Sequence, residues 1–257
     1  MAALAAGGAG IWYYSGGVQP LAPESVDLID GDWLEHLYSQ NPRVAEEAGQ
    51  QLEARGASAL PEIQAVLHDP GADVPMKKAA LKACGLLGPI AEPAIPDVAA
   101  HLTDPQLTEE AAVALSFMGR EAFAPLRDGA SSEDPVVRRE SLRSLGKLKE
   151  RAPLDARAVV PTLIDHLQDP DPGVRTVAAT YLGIIHAEAA AAVPALIETL
   201  KDVEAEVRAA AATALGSFGA EAQPAVIALR KATADRNEDV AREAGVALVK
   251  LQGKERR

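Results

Sequence analysis

Apolar positions along this chain recur at helical spacing, in blocks that repeat. The clearest block, VRAAAATALGSFG, runs from Val207 to Gly219, and a near-copy, VRTVAATYLGIIH, runs from Val174 to His186. Residues at i, i+4 and i+8 stack on one face of a helix. Val174, Ala178, Leu182 and Ile185 therefore share one expected buried stripe. The stripe opens seven times, at Val44, Met76, Leu107, Val137, Val174, Val207 and Val240. Eight places on stand Leu52, Cys84, Leu115, Leu145, Leu182, Leu215 and Leu248, with alanine or serine at the fourth place. The openings are 32, 31, 30, 37, 33 and 33 residues apart. A period of that size predicts modules that cannot bury their apolar faces alone and stack into a row.

A shorter apolar run precedes each block and starts near a proline: Pro61, Pro96, Pro125, Pro161, Pro194 and Pro224. Proline suits a first helical turn, where its missing N–H is not needed. Between run and block stand Asn41-Pro42, Asp69-Pro70, Asp104-Pro105, Asp134-Pro135 and Asp169-Pro170, dipeptides that start turns and can cap the next helix. Each unit thus reads helix, tight turn, helix. Gly85, Gly146, Gly183 and Gly216 follow the leucine position of their blocks. Glycine inside a helix costs about 1 kcal/mol against alanine, so its recurrence predicts close backbone approach between neighbouring helices. Alternating strand patterns are absent from the sequence.

The Asx-Pro turn, the Val-Arg opening (Val137-Arg138, Val174-Arg175, Val207-Arg208) and the Ala…Leu-Gly close resemble the HEAT repeat in its short bacterial form, over roughly residues 32–252. The resemblance implies an all-α, right-handed α-solenoid of about seven helix-turn-helix repeats. The domain reading is an apolar segment at 1–18, a linker at 19–30, the solenoid at 31–252 and a charged tail at 253–257. Repeat one uses Trp33 to Tyr38 in place of a proline-led helix, and repeat seven has Ala241-Arg242 in reversed order, as suits terminal caps.

In HEAT arrays the second helices line the concave face, and the resemblance implies a docking surface there. Positions two and six after each opening point away from the core, about 180° from the buried stripe. They supply the candidate partner-binding residues Lys78, Lys82, Arg139, Arg143, Thr176, Thr180 and Arg242. The expected function is a non-enzymatic scaffold that binds a protein or peptide segment. The alternative is a HEAT-like modifying enzyme or accessory subunit, of the bilin-lyase or hydroxylase type. Deoxyhypusine hydroxylase binds iron through His-Glu dipeptides, and this chain has none. HEAT-like DNA glycosylases use a basic, aromatic-lined groove, which the second helices do not offer.

Composition narrows these choices. The formal charge of -12 disfavours a nucleic-acid binder, whose affinity comes from neutralised phosphates. Hydrophobic residues make up 48% of the chain but aromatics only 4%, so alanine and leucine must form the core. Ala2 to Val18 is uncharged and apolar, with Trp12, Tyr13 and Tyr14 near its end. Its length is at the lower limit for a membrane span, and no Lys or Arg precedes it. Two readings stand: a membrane anchor, or a leader outside any folded unit in a cytoplasmic protein. The second helices alternate in charge, with Lys77, Lys78 and Lys82 followed by Glu109 and Glu110, then Arg138, Arg139 and Arg143. Exposed pairs between them are worth on the order of 0–1 kcal/mol each.

His36, His101 and His166 hold equivalent places in alternate repeats, roughly 20 Å apart by helix spacing, too far to share a metal. Cys84 sits in a leucine slot and reads as a small buried hydrophobe. No catalytic residue, cofactor or metal ligand is assigned. Residues 149–157 lengthen the unit after repeat four and predict a longer loop or a bend.

Overall fold

The computed structural model describes residues 33–151 and 156–252; the apolar run, the linker and the charged tail lie outside them. The described residues form seven helix pairs. These are α1 (Trp33–His36) with α2 (Pro42–Arg55), α3 (Leu60–His68) with α4 (Val74–Leu87), α5 (Ile95–Ala100) with α6 (Thr108–Leu115), and α7 (Phe123–Gly129) with α8 (Pro135–Arg151). Then follow α9 (Ala156–Asp165) with α10 (Pro172–Ile185), α11 (Ala189–Thr199) with α12 (Ala205–Phe218), and α13 (Val226–Ala232) with α14 (Glu238–Gln252). Each second helix packs on the second helix of the next pair, and one apolar core runs from Trp33 to Leu251. The chain is an α-solenoid.

The stripe read from the sequence is the core. Ala48, Ala80, Ala111, Ser141, Ala178, Ala211 and Ala244 are all 0% exposed. The leucine position is buried through repeat six, while Leu248, in the last of the described repeats, is only partly buried. The Leu-Gly closures do what their recurrence predicted. A Cβ on Gly85 would lie 3.3 Å from Ala114 Cα, on Gly216 3.1 Å from Ala247 Cα, and on Gly183 2.6 Å from Ala214 Cα. Gly146 lies directly under the Tyr181 ring. The contact always joins the glycine of one repeat to the seventh place of the next.

One local expectation needs correction. In α9 and α11 the proline is inside the helix, not in its first turn, because the preceding Ala- and Val-rich residues bury Val159, Val160 and Val193 and extend the helix backwards. Within the lengthened unit α8 continues to Arg151 and α9 starts at Ala156, and residues 152–155 lie outside the described ones. The Asx residues divide their work. Asn41 and Asp134 accept from the N–H of Arg43 (3.1 Å) and Val136 (2.7 Å) at helix starts. Asp69, Asp104 and Asp169 likewise accept from the residue two places on, but within the turn ahead of the helix.

A charged ladder, not anticipated as such, ties the later repeats together. Arg138 forks onto both carboxylate oxygens of Asp169 at 2.8 Å. Arg175 does the same to Asp202 (2.7 and 2.8 Å), and Arg208 to Asp235 (2.8 and 2.9 Å). The free guanidinium nitrogen of each donates to carbonyls of its own turn, as Arg175 does to Asp169 and Pro170. Each arginine thus fixes two successive turns in one geometry, which a bidentate fork can do and a point charge cannot. Lys77 and Thr108 hold the arginine position in repeats two and three, and the ladder is confined to repeats four to seven.

Burial works to raise the carboxyls of Asp169 and Asp202, but the arginine hydrogen bonds, a backbone N–H and the arginine charge outweigh it and hold both low. Asp235 is held low first by Arg208. Unfolded aspartate titrates near about 3.9. Each pair therefore stabilises fully above about pH 4, and its contribution is lost as pH falls through the depressed folded values. The urea midpoint is expected to fall as pH is lowered from about 5 to about 3, and less steeply in Asp202→Asn. Equal slopes in the two proteins would refute this account.

Two of the equivalent histidines join repeats. His101 Nε2 lies 3.2 Å from the carbonyl of Leu67, and His166 Nε2 lies 2.8 Å from that of Ala130, each at the end of the preceding repeat's first helix. His36, in the first repeat, has a buried Nδ1 without a hydrogen-bond partner.

Candidate partner-binding surface

The seven sequence-chosen residues do not form one site. Arg139, Arg143, Thr176 and Thr180 come together, with Tyr181 and Glu206, around an open groove of about 570 Å³ across α8, α10 and α12. Glu140, 6% exposed, holds the two arginines: Arg143 Nη1 donates to its oxygens at 2.9 and 3.2 Å, and Arg139 Nε at 3.3 Å. Thr180 donates to the Thr176 carbonyl at 2.8 Å, while Thr176 Oγ1 is buried without a partner. The groove is polar and its cations are aimed by a buried carboxylate.

Lys78 and Lys82 belong elsewhere. Lys78 pairs with Glu110 of the next repeat at 2.5 Å, one link of the alternating charge read from the sequence. Lys82 Nζ donates to the Leu37 carbonyl at 2.6 Å and stands 4.5 Å over the Tyr38 ring. It lines a second groove, of about 440 Å³, with Tyr38, Leu86, Val113 and Phe117. Burial, then the charges of Glu110 and Glu109, push the Tyr38 phenol up. Arg242 lies near the end of the array, exposed, bonded to Asp239 at 2.6 Å and Glu243 at 3.3 Å.

Sequence reading stopped one turn short on this face. Four residues beyond the sixth position, in repeats two, three and five, come Leu86, Phe117 and Ile184, exposed by 57%, 42% and 42%. They continue the same outward row. Phe117 stands out because α6 ends at Leu115: Ser116 replaces the closing glycine and donates to the Val113 carbonyl. Ser116 Oγ also accepts from Arg151 Nη1 at 2.9 Å, and the Arg151 guanidinium covers the Phe117 ring at 3.8 Å.

Both grooves are open to solvent along the surface of the described residues. Among the described residues no three His, Cys, Asp or Glu side chains are placed to hold a metal ion. Cys84 is fully buried, and burial first, then the Asp97 charge, push its thiol up to about 12, which leaves it a packing residue. No helix among the described residues is long and apolar enough to cross a membrane.

Paired helices stacked in register, with glycine contacts and an Asp–Arg ladder between neighbours, define a helical-repeat solenoid. Residues 123–193 and 160–250 match the family model for HEAT repeats, the stretch that carries the ladder. The chain belongs to the HEAT-repeat family. Solved structures share the fold. YibA of E. coli is 18% identical with a TM-score of 0.56, the match covering 89% of this chain and 83% of YibA. Kap121p bound to the extreme C-terminus of the protein phosphatase Cdc14p is 17% identical with a TM-score of 0.57, covering 85% of this chain and 27% of Kap121p. Kap95p, in a structure concerning RanGDP, is 16% identical with a TM-score of 0.56, covering 86% and 35%. This chain thus spans about a quarter to a third of these two longer solenoids. No curated protein matches the sequence.

Proposed function

We propose that this chain is a non-enzymatic scaffold that holds a protein or peptide segment on the face formed by its second helices. The observation that carries the reading is the groove at Arg139, Arg143, Thr176 and Thr180, whose two guanidiniums are set in place by buried Glu140 before any partner arrives. Preorganised donors lose less entropy on binding. The fold can serve this purpose: Kap121p, built on it, binds the extreme C-terminus of Cdc14p. Residues 2–18, uncharged and aromatic at one end, tether the scaffold to a membrane in this reading.

A photo-crosslinking residue at Thr180 is expected to capture a partner from the native source. The same residue at Ile227, 84% exposed on a first helix, is not. Charge reversal, Arg139→Glu with Arg143→Glu, is expected to weaken that partner by about tenfold or more. Equal capture at both positions, or undiminished capture after reversal, would overturn the proposal. Vesicle flotation that does not change when residues 2–18 are deleted would remove the tether.

A further inference from the structure

We infer that the first half of the second-helix face carries a separate docking strip, shaped for a cationic amphipathic helix of another protein. The inference rests on the scaffold reading but not on the arginine–threonine groove.

Three depressions adjoin along this half. One, of about 490 Å³, lies between α2 and α4 and is lined by Glu46, Glu53, Leu86 and Ile90. The next is the 440 Å³ groove of Tyr38, Leu86 and Phe117. The third, of about 420 Å³, is lined by Phe117, Glu92 and Arg151. Leu86 is shared by the first two and Phe117 by the last two, so the three are one strip crossing α2, α4, α6 and α8. Three helix spacings of 8–10 Å span about 27 Å, the length of a helix of about 18 residues.

The strip is apolar along its middle and mainly acidic along its rim, where Arg120, in the third depression, is paired with Glu121 at 3.7 Å. Ile90, Leu86, Phe117 and Tyr38 are 50%, 57%, 42% and 44% exposed. Isolated exposed hydrophobics need no explanation, but four lining adjoining depressions, two of them held rings, do. Lys82 over Tyr38 and Arg151 over Phe117 hold both aromatics in place, and both cations are already occupied there. Glu46, Glu53, Glu92 and Glu109 are exposed around them, and none of the four is in an ion pair among the described residues.

Charge decides the occupant. A helix with one apolar face and flanking Lys or Arg meets both the strip and the four carboxylates. The chain's own apolar segment, residues 2–18, contains no Lys or Arg and leaves the rim unmatched. A second copy is disfavoured by a net charge of -12 on each chain, and its most basic helix, α8, is already packed between α6 and α10. An anionic membrane surface is repelled by the same rim.

The probe is a fluorescein-labelled peptide of about 18 residues, leucine and lysine at helical spacing, titrated by anisotropy against the full chain. It is expected to bind, to weaken as salt rises, and to bind Arg139→Glu/Arg143→Glu at least as well. Leu86→Lys should weaken it by about tenfold or more, and Phe117→Ala by a comparable factor. Circular dichroism establishes that each variant folds, and the high exposure of Leu86 makes its variant safe in this respect. Glu53→Gln with Glu109→Gln should lessen the salt dependence. The same peptide with glutamate for lysine should not bind. The inference is overturned if the glutamate peptide binds as well, if Leu86→Lys leaves affinity unchanged, or if no binding is detected. It is also overturned if deletion of residues 2–18 uncovers binding that the full chain lacks, since the strip would then hold that segment. Loss confined to Arg139→Glu/Arg143→Glu would place the peptide in the other groove. The scaffold reading is judged separately, by crosslinking from Thr180.

Discussion

Arg175→Ala is expected to destabilise the later repeats by about 3 kcal/mol, the cost of stranding one partner of a nearly buried ion pair. Arg175 makes four hydrogen bonds, two to Asp202 and one each to the carbonyls of Asp169 and Pro170. Both side chains of the pair are 11% exposed, so water can only partly replace the lost guanidinium. The cost arises mainly from Asp202, left with the backbone N–H of Glu204 as its remaining donor. Arg175→Lys should recover little, because an ammonium cannot fork to the carboxylate and reach the preceding turn together. Arg175→Ala with Asp202→Ala should cost less than the two single changes summed, as coupled neighbours do. Hydrogen exchange can locate the effect: protection should fall around α10 to α14 and hold in α2 to α5, since repeats contact only their neighbours. A change within about 0.5 kcal/mol would mean that the ladder contributes only as an ordinary surface pair does.

The sequence displayed both halves of this ladder without showing that they meet. The Val-Arg opening and the Asp of the next turn are about one period apart, as Arg175 and Asp202 are, but each reads by itself as a local feature. The arginine looks like a solvated second residue and the aspartate like a turn former. Only stacking brings one over the other. What periodicity could reveal was the buried stripe and the helix pairing, because those follow from spacing within a single repeat. The closing glycines were legible for the same reason, although their contact crosses to the next repeat.

The surface was harder to read because exposure is set by irregularities. Positions two and six give the outward row of an ideal helix. They do not show that Lys82 would reach the Leu37 carbonyl or that Glu140 would gather Arg139 and Arg143, whereas the Lys78–Glu110 pair follows the alternation of charge between neighbouring second helices. Phe117 was the least visible. It is exposed as Leu86 and Ile184 are at the same place of their repeats, and what sets it apart is Ser116, where four other repeats have glycine, and α6 stopping at Leu115. The available signal was the break in the Leu-Gly close itself, followed by an aromatic residue in an aromatic-poor chain. A departure from the repeat marked the place where the surface differs.

Gly183→Ala should destabilise the chain by about 2 kcal/mol, although the same change helps most helix interiors. Glycine to alanine within a helix ordinarily gains up to about 1 kcal/mol, from lower backbone entropy in the unfolded chain. At Gly183 the new Cβ would fall 2.6 Å from Ala214 Cα and 2.8 Å from its Cβ. The obstruction is backbone, so no side chain can rotate away, and α10 and α12 must separate or slide. Overpacking of that kind costs about 1–3 kcal/mol before any propensity gain is subtracted. Because α12 also supports α14, the strain cannot be absorbed at one free end. Gly245→Ala supplies the control. Gly245 lies within α14 with nothing within 4 Å of its Cβ position, so there the helical preference should act alone and stabilise. Urea melts of the two variants should move in opposite directions from the parent. A stabilised Gly183→Ala would show that the helices do not approach as closely as this fold requires, and the periodic Leu-Gly close would lose its physical cause.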